Sequence, residues 1–209
     1  MRRFDLSVYL VADPAICSLG LLEAVREAVA GGVTMVQLRD KTGSTAERTA
    51  AARALKGVLA GSGVPLLVND DIEAALAADA DGVHIGQDDG DPQTVRDAIG
   101  PDRILGLSVE TVGLARAAHP AADYLGVGPV FATATKPGHA PPLGFEGLAE
   151  IVAATDRPTV AIGGLQAIHA PRITADGIAV VTAICAASDP RAAAREIAEA
   201  MARARAPRA

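Results

Sequence analysis

Apolar residues along this 209-residue chain fall into short runs that recur with amphipathic stretches between them. The runs SVYLVA, TMVQLRD, VPLLVND, DGVHIGQ, ILGLSV, YLGVGPV, TVAIGG and GIAVVTAI read as eight strands. Segments rich in Ala, Leu and Glu, such as LLEAVREAVAGG and TAERTAAARALKGVLAG, read as the helices between them, most ending in Gly or starting at Asp or Pro. Strict β/α alternation demands a mainly parallel sheet. Eight such units in a chain of this length predict an α/β fold, a single (β/α)8 TIM barrel over residues 1–209. A doubly wound open sheet is the other architecture that fits the alternation. No linker or low-complexity run interrupts it, and the terminal ARARAPRA reads as a fraying basic helix end at about residues 200–209.

Composition then narrows the function classes. Half of the residues are hydrophobic, enough to build a full core. Aromatic residues make up 2%, Trp is absent and the net charge is -6, which argues against stacking on bases or binding a nucleic-acid backbone. Any anionic ligand must therefore be captured by a local positive site. The opening MRRFDLSVYLVADP has a basic start, but its apolar run ends at Asp13-Pro14, so neither a signal peptide nor a membrane span is expected and the chain reads as cytoplasmic. Cys17 and Cys185 show no metal-ligand spacing. They are expected to be reduced thiols, with Cys185 packed among small residues rather than facing a ligand.

In a barrel, chemistry sits at the carboxyl ends of the strands. At the second strand, period two places Gln37, Arg39 and Lys41 on the face opposite Val36 and Leu38, so an amide and two cations are aimed at the barrel mouth. The third strand ends in Asn69-Asp70-Asp71 and the fourth is followed by Gln87-Asp88-Asp89. Asp70 and Asp89 can share a hard divalent cation such as Mg2+, while Asp71 and Asp91 suit caps of the helices that follow; acidic residues at these places fit either role. Ser108 ends the fifth strand pattern as a hydrogen-bonding hydroxyl, with no sequence-local His or Asp to make it a nucleophile.

The sixth strand runs into GPVFATATKPGHAPPLG, where Thr133, Thr135 and Lys136 precede a Gly/Pro-rich segment. Hydroxyls and a lysine there suit a phosphate, and equally a solvated turn. The seventh and eighth strand patterns end at Gly163-Gly164 and Val181-Thr182, where barrels commonly cradle a phosphate, although a Gly-Gly pair also serves an ordinary strand-to-helix turn. Structural roles are expected for His84, on a strand and buried, for His119 and His169 at helix ends, and for His139 in the sixth loop.

With these pieces in order, the chain resembles the thiamine-phosphate synthase family over essentially its whole length. The resemblance is carried by VQLRDK, VNDD, DGVHIGQDD, GLS, GPVFATATKPGHAPPLG, AIGGL and VVTAI, each at a strand end. It implies a barrel that joins 4-amino-2-methyl-5-hydroxymethylpyrimidine diphosphate to a thiazole ethyl phosphate, releasing pyrophosphate. Carried over motif by motif, Gln37, Arg39, Lys41, Asn69, Ser108 and Lys136 would bind the pyrimidine diphosphate, and Asp70 and Asp89 would hold Mg2+. Arg39, Ser108 and Lys136 would be the catalytic set. Thr133, Thr135, Gly164, Val181 and Thr182 would hold the thiazole phosphate, Thr182 standing where many relatives have serine.

Small phosphorylated substrates are the implied partners, and a homo-oligomer is left open. Two alternatives have their own signatures. The related thiazole tautomerase carries a histidine where this chain has Pro129 and lacks the complete metal and diphosphate set, whereas a thiamine-phosphate-sensing barrel would have lost Asp70, Asp89 or Lys136.

Overall fold

Period-two alternation divides every strand between two apolar environments, and the geometry follows from that division. The structure, a computed structural model, describes residues 4–135 and 140–206. Strands β1 (Val8–Ala12), β2 (Met35–Leu38), β3 (Leu66–Asn69), β4 (Gly82–Ile85), β5 (Ile104–Val109), β6 (Tyr124–Val127), β7 (Thr159–Ile162) and β8 (Gly177–Val180) pair in parallel, each with its sequence neighbours. β1 pairs with β8 through Tyr9 and Ala179, so the sheet closes into a barrel. All eight expected strands are present, and the open sheet is excluded.

One set of side chains points outward. Val8, Leu10, Val36, Leu38, Leu66, Val68, Val83, Ile85 and Leu125 pack with buried helix residues such as Ala24, Leu55, Val95, Leu148 and Ile197. The inward set is smaller and comes from the strands together with Leu6: Tyr9, Val11, Met35, Leu67, Ile104, Tyr124, Val160 and Ala179. Full burial of each leucine or isoleucine in the outer layer contributes about 2 kcal/mol, which makes that layer the main source of stability.

The helices of the outer layer start where the sequence marks them. α1 (Leu21–Ala30) follows Gly20. α2 (Thr45–Leu59) begins with a capping box between Ser44 and Glu47. The side chains of Asp71 and Asp91 accept the N–H groups of Ala74 and Thr94, capping α3 (Ile72–Ala77) and α4 (Pro92–Ile99) as expected. Thr111 caps α5 (Val112–Ala117), and α6 (Gly144–Val152) follows the sixth loop.

After β7 the pattern changes. Its connection is a 3₁₀ helix (Ala167–Arg172) containing Pro171, whose ring and missing N–H oppose an α-helical run. β8 leads into the short α7 (Thr182–Cys185) and then α8 (Pro190–Arg205). At the basic end of α8, Arg205 donates to Ser7 Oγ at 2.9 Å and to the Ala175 carbonyl at 3.4 Å. Residues beyond 206 lie outside the described residues.

The amino-terminal rim of the barrel repeats one device. Asp81, Asp123 and Asp176, each just before an even-numbered strand, accept the N–H of Leu66, Leu105 and Thr159 from the preceding odd-numbered strand at 2.8–2.9 Å. Lys56 pairs with Asp81 at 3.1 Å and Arg96 with Asp123 at 2.6 Å. This rim is built for stability, leaving the opposite rim for chemistry.

Candidate active site

The carboxyl ends of the strands surround a pocket of about 240 Å³, and the registers explain which side chains reach it. Inward parity on β2 carries Gln37 into the barrel, buried, while Arg39 and Lys41 follow just past the strand end. Asn69 closes β3, His84 lies on β4 and Ser108 on β5, in register with Gly126 of β6. All of these line the pocket with Asp70, Asp89, Thr133, Thr135, Gly163, Gly164, Val181 and Thr182. The structure therefore brings together the described residues that the resemblance assigns to the two substrates and the metal, while Asp71 and Asp91 serve as helix caps. Lys136, Gly138 and His139 lie outside the described residues.

A hydrogen-bonded chain runs through the barrel interior to this pocket. Gln37 Nε2 donates to Tyr9 Oη at 2.7 Å, the Tyr9 and Tyr124 hydroxyls meet at 2.8 Å, Tyr124 Oη lies 2.8 Å from His84 Nδ1, and His84 Nε2 lies 2.9 Å from Ser108 Oγ. Burial raises the pKa of both tyrosines well above the phenol range, so both are neutral hydroxyls with one proton each. Tyr9 accepts the Gln37 amide, and an arrangement in which every remaining proton in the chain finds an acceptor has Tyr9 donating to Tyr124, Tyr124 to His84 Nδ1 and His84 Nε2 to Ser108 Oγ, with the Ser108 hydroxyl turned toward the pocket.

Glycines make room for this chain. A Cβ on Gly106 would lie 2.2 Å from Tyr124 Cζ and 2.4 Å from His84 Nδ1, and one on Gly126 would lie 3.0 Å from His84 Cε1. Sequence reading assigned His84 a buried structural role; it is buried and hydrogen-bonded, but it also lines the pocket and holds Ser108. Tyr9 and Tyr124 were missed. The available signal was that the chain has two tyrosines, both at inward strand positions, where a buried hydroxyl needs a partner.

The charged side of the pocket is internally paired. Arg39 Nη1 reaches Asp13 Oδ2 at 3.1 Å with both side chains largely buried, and Lys41 pairs with Asp70. Asp70 has φ 61, a left-handed conformation that Asp tolerates better than most residues, and its N–H donates to the His84 carbonyl at 2.9 Å. Burial is the largest influence on Asp70 and raises its pKa; Lys41 acts in the opposite sense, and the neighbouring Asp89 raises it again, leaving a net rise. Asp89 Oδ2 accepts the Gly86 N–H at 2.8 Å.

Among the described residues no group of three or more His, Cys, Asp or Glu side chains forms a ready-made metal cage. The Asp70–Asp89 pair nevertheless fits a hard divalent cation. It supplies two carboxylates whose mutual repulsion such an ion relieves, with water and substrate oxygens left to complete the coordination.

Across the pocket, Thr133 Oγ1 and Thr135 Oγ1 meet at 2.8 Å, placing two hydroxyls side by side. Gly163 and Gly164 have φ of 107 and 63, and a Cβ on Gly164 would lie 2.8 Å from Phe131 Cβ. Glycine here meets both a left-handed backbone and a close approach of the sixth loop. The Phe131 N–H donates to the Gly163 carbonyl at 3.0 Å, tying the start of that loop to the end of β7. Val181 precedes α7, so the last strand also ends at the pocket.

Comparisons with known proteins agree with this arrangement. The profile of the family described as thiamine monophosphate synthase matches residues 8–184. A thiamine-phosphate synthase of Solidesulfovibrio magneticus is 52% identical over 201 residues, covering 93% of this chain and 95% of the relative. One from Laribacter hongkongensis is 46% identical over 201 residues, covering 94% and 95%. The solved thiamine phosphate pyrophosphorylase of Pyrococcus furiosus superposes with a TM-score of 0.87 at 35% identity, covering 96% of this chain and 97% of that one. Motifs, barrel and near full-length identity converge, and the chain belongs to the thiamine monophosphate synthase family.

Proposed function

We propose that this chain, one barrel domain over residues 1–209, joins 4-amino-2-methyl-5-hydroxymethylpyrimidine diphosphate to thiazole ethyl phosphate, giving thiamine phosphate and pyrophosphate. The observation that carries the reading is the single pocket that takes in two complementary sets. Gln37, Arg39, Lys41, Asn69, Asp70, Asp89 and Ser108 suit a diphosphate and its ring, while Thr133, Thr135, Gly164, Val181 and Thr182 suit a second phosphate. We place the enzyme in the cytoplasm, acting on small phosphorylated molecules; no described helix is long and apolar enough to cross a membrane.

The reaction is a dissociative substitution. The bond from the pyrimidine methylene carbon to the diphosphate oxygen breaks, and its electron pair leaves with the diphosphate. Electron donation from the ring amino group stabilises the methylene cation, and the thiazole nitrogen lone pair then forms the new carbon–nitrogen bond. No protein nucleophile is required.

The residues of the chain orient and neutralise. Arg39, held against Asp13, is a fixed cation at the pocket wall, and Lys41, paired with Asp70, would offer its charge to the incoming diphosphate. Lys136, outside the described residues, would add a third positive charge to the leaving group. A magnesium ion held by Asp70 and Asp89 would supply further positive charge to the departing diphosphate. Ser108, kept as a donor by His84, offers its proton to a pyrimidine ring nitrogen and fixes the ring's orientation. The hydroxyls of Thr133 and Thr135, with backbone N–H groups near Gly164, Val181 and Thr182, hold the thiazole phosphate so that its nitrogen faces the cation.

The test is product formation by the purified protein given both substrates, with and without Mg2+, while pyrophosphate release is followed in parallel. Equal yields of thiamine phosphate and pyrophosphate, lost when the metal is chelated, are expected. Binding of thiazole phosphate with no turnover would move the assignment to a tautomerase or a sensing barrel.

A further inference from the structure

Cys17 and Cys185 stand 168 residues apart in sequence, yet their Sγ atoms are 3.1 Å apart, about 1 Å more than a disulfide bond length. Both are free thiols, as expected from the sequence, and both are buried. Their separation is fixed by neighbouring contacts. The Ser18 N–H donates to the Cys185 carbonyl at 2.8 Å, Ser18 Oγ donates to the Ala187 carbonyl at 2.8 Å, and the Cys17 N–H donates to the Asp13 carbonyl at 3.1 Å. The loop after β1 is thereby laced to α7 across the β1–β8 seam.

The two thiols differ in access. Cys17 is 8% exposed and is followed by the exposed residues Ser18, Leu19 and Gly20, whereas Cys185 is 0% exposed. A small oxidant reaches Cys17 first, and the sulfur in contact with it is that of Cys185. We propose that Cys17 and Cys185 form an oxidisable dithiol site, at which hydrogen peroxide converts the pair to an intramolecular disulfide joining the first and last β/α units.

The steps balance. The Cys17 thiolate attacks one peroxide oxygen; the S–O bond forms, the O–O bond breaks, and hydroxide leaves and takes up a proton as water. Cys185 Sγ then attacks the Cys17 sulfur; the S–S bond forms, the S–O bond breaks, and the oxygen leaves with a proton as a second water. Two thiols have lost two protons and two electrons, and one peroxide has been reduced to two waters. Electrostatics assigns the same roles. The sulfur–sulfur contact with Cys185 is the largest influence on Cys17 and brings its pKa below the ordinary thiol value, whereas that same contact and burial push Cys185 far up. The attacking sulfur thus belongs to the less deeply buried residue, and the fully buried Cys185 is the resolving thiol.

This proposal is independent of the proposed reaction and is tested without any substrate. Wild-type protein is treated with hydrogen peroxide, quenched, unfolded and alkylated with iodoacetamide, then weighed intact. The expected result is a chain lighter by about 2 Da with neither cysteine alkylated, reverting to two alkylated cysteines after dithiothreitol. Closing so long a loop also raises the melting temperature of the oxidised form, by at least about 5 °C. Cys17→Ala is expected to abolish both the mass loss and the shift. Two alkylatable thiols surviving treatment, chains linked to one another, or Cys17 carried to its sulfinic acid with Cys185 still alkylatable would each overturn the proposal.

Discussion

The hydroxyls of Tyr9 and Tyr124 meet at 2.8 Å inside the barrel, although 115 residues separate them in sequence. They are the central link between Gln37 and Ser108, and removing one oxygen interrupts the whole chain. Tyr124→Phe leaves the Tyr9 hydroxyl and His84 Nδ1 short of a partner in a buried site, and is expected to cost about 1–3 kcal/mol of unfolding free energy. It also frees the His84 tautomer, so Ser108 is no longer fixed as a donor. On the proposed reaction, kcat falls roughly tenfold with little change in KM for thiazole phosphate. Chemical unfolding and steady-state kinetics check the two parts separately. Unchanged kcat in a destabilised variant would mean that the chain serves stability alone.

Gly106 tests the same chain from its walls. Its Cβ would fall 2.3 Å from the Tyr124 hydroxyl, so Gly106→Ala requires the tyrosine or His84 to move. The expected loss is about 3 kcal/mol, at the upper end for overpacking. Tyr124→Phe removes the clashing oxygen but keeps ring carbon Cζ at 2.2 Å and His84 Nδ1 at 2.4 Å, so the overpacking is only partly relieved; because both substitutions displace the same ring, the double variant is expected to be less damaged than the sum of the singles by at least about 0.5 kcal/mol. Strict additivity measured by urea unfolding would show that the two positions do not contend for the same space.

The features legible in the sequence are those whose cause is local or periodic. Parity alone put Gln37 opposite Val36 and Leu38, and the structure has Gln37 inside the barrel and the other two in the outer layer. Asp71 and Asp91 cap helices within three residues of themselves, so they too could be read directly. The replacement of a helix by a 3₁₀ turn after β7 could have been suspected from Pro171. The interior chain could not be read in this way. Its links join β1, β2, β4, β5 and β6, and which inward side chains touch depends on strand register and on glycines that clear the space. The meeting of Cys17 with Cys185 likewise depends on barrel closure, which no local window contains.

The carboxylate pair gives a sharper test of the metal assignment. Asp89→Asn keeps a side-chain oxygen for the Gly86 N–H, so the turn after β4 is expected to hold. It removes one of two charges offered to the cation and, on the proposed reaction, lowers Mg2+-dependent turnover about 100-fold while the unfolding midpoint stays within error. Titrating activity against Mg2+ checks this. An unchanged metal requirement with near-normal turnover would take Asp89 out of the site.

Asp40 provides a pH-dependent reading of the loop that carries Lys41. Desolvation raises its pKa, but the N–H groups of Gly43 and Thr42, the Thr42 hydroxyl and the charge of Arg48 together outweigh it, and the net displacement is downward. The three hydrogen bonds to Asp40 Oδ1 are 2.9–3.2 Å long. A carboxylate with a folded pKa below its unfolded value stabilises fully above the unfolded value, about 3.9, and loses that contribution as pH falls through the folded value. Asp40→Asn stays neutral throughout, so its stability relative to wild type isolates the charge. The variant is expected to be less stable by about 0.5–1 kcal/mol at pH 7, because the site is partly solvated, and the gap narrows once pH falls below about 3.9 toward the folded value. Urea unfolding of both proteins at pH 7, 5 and 3 measures the difference. If the gap were the same at all three values, the carboxylate charge would have no part in holding this loop, and its hydrogen bonds alone would set the position of Lys41.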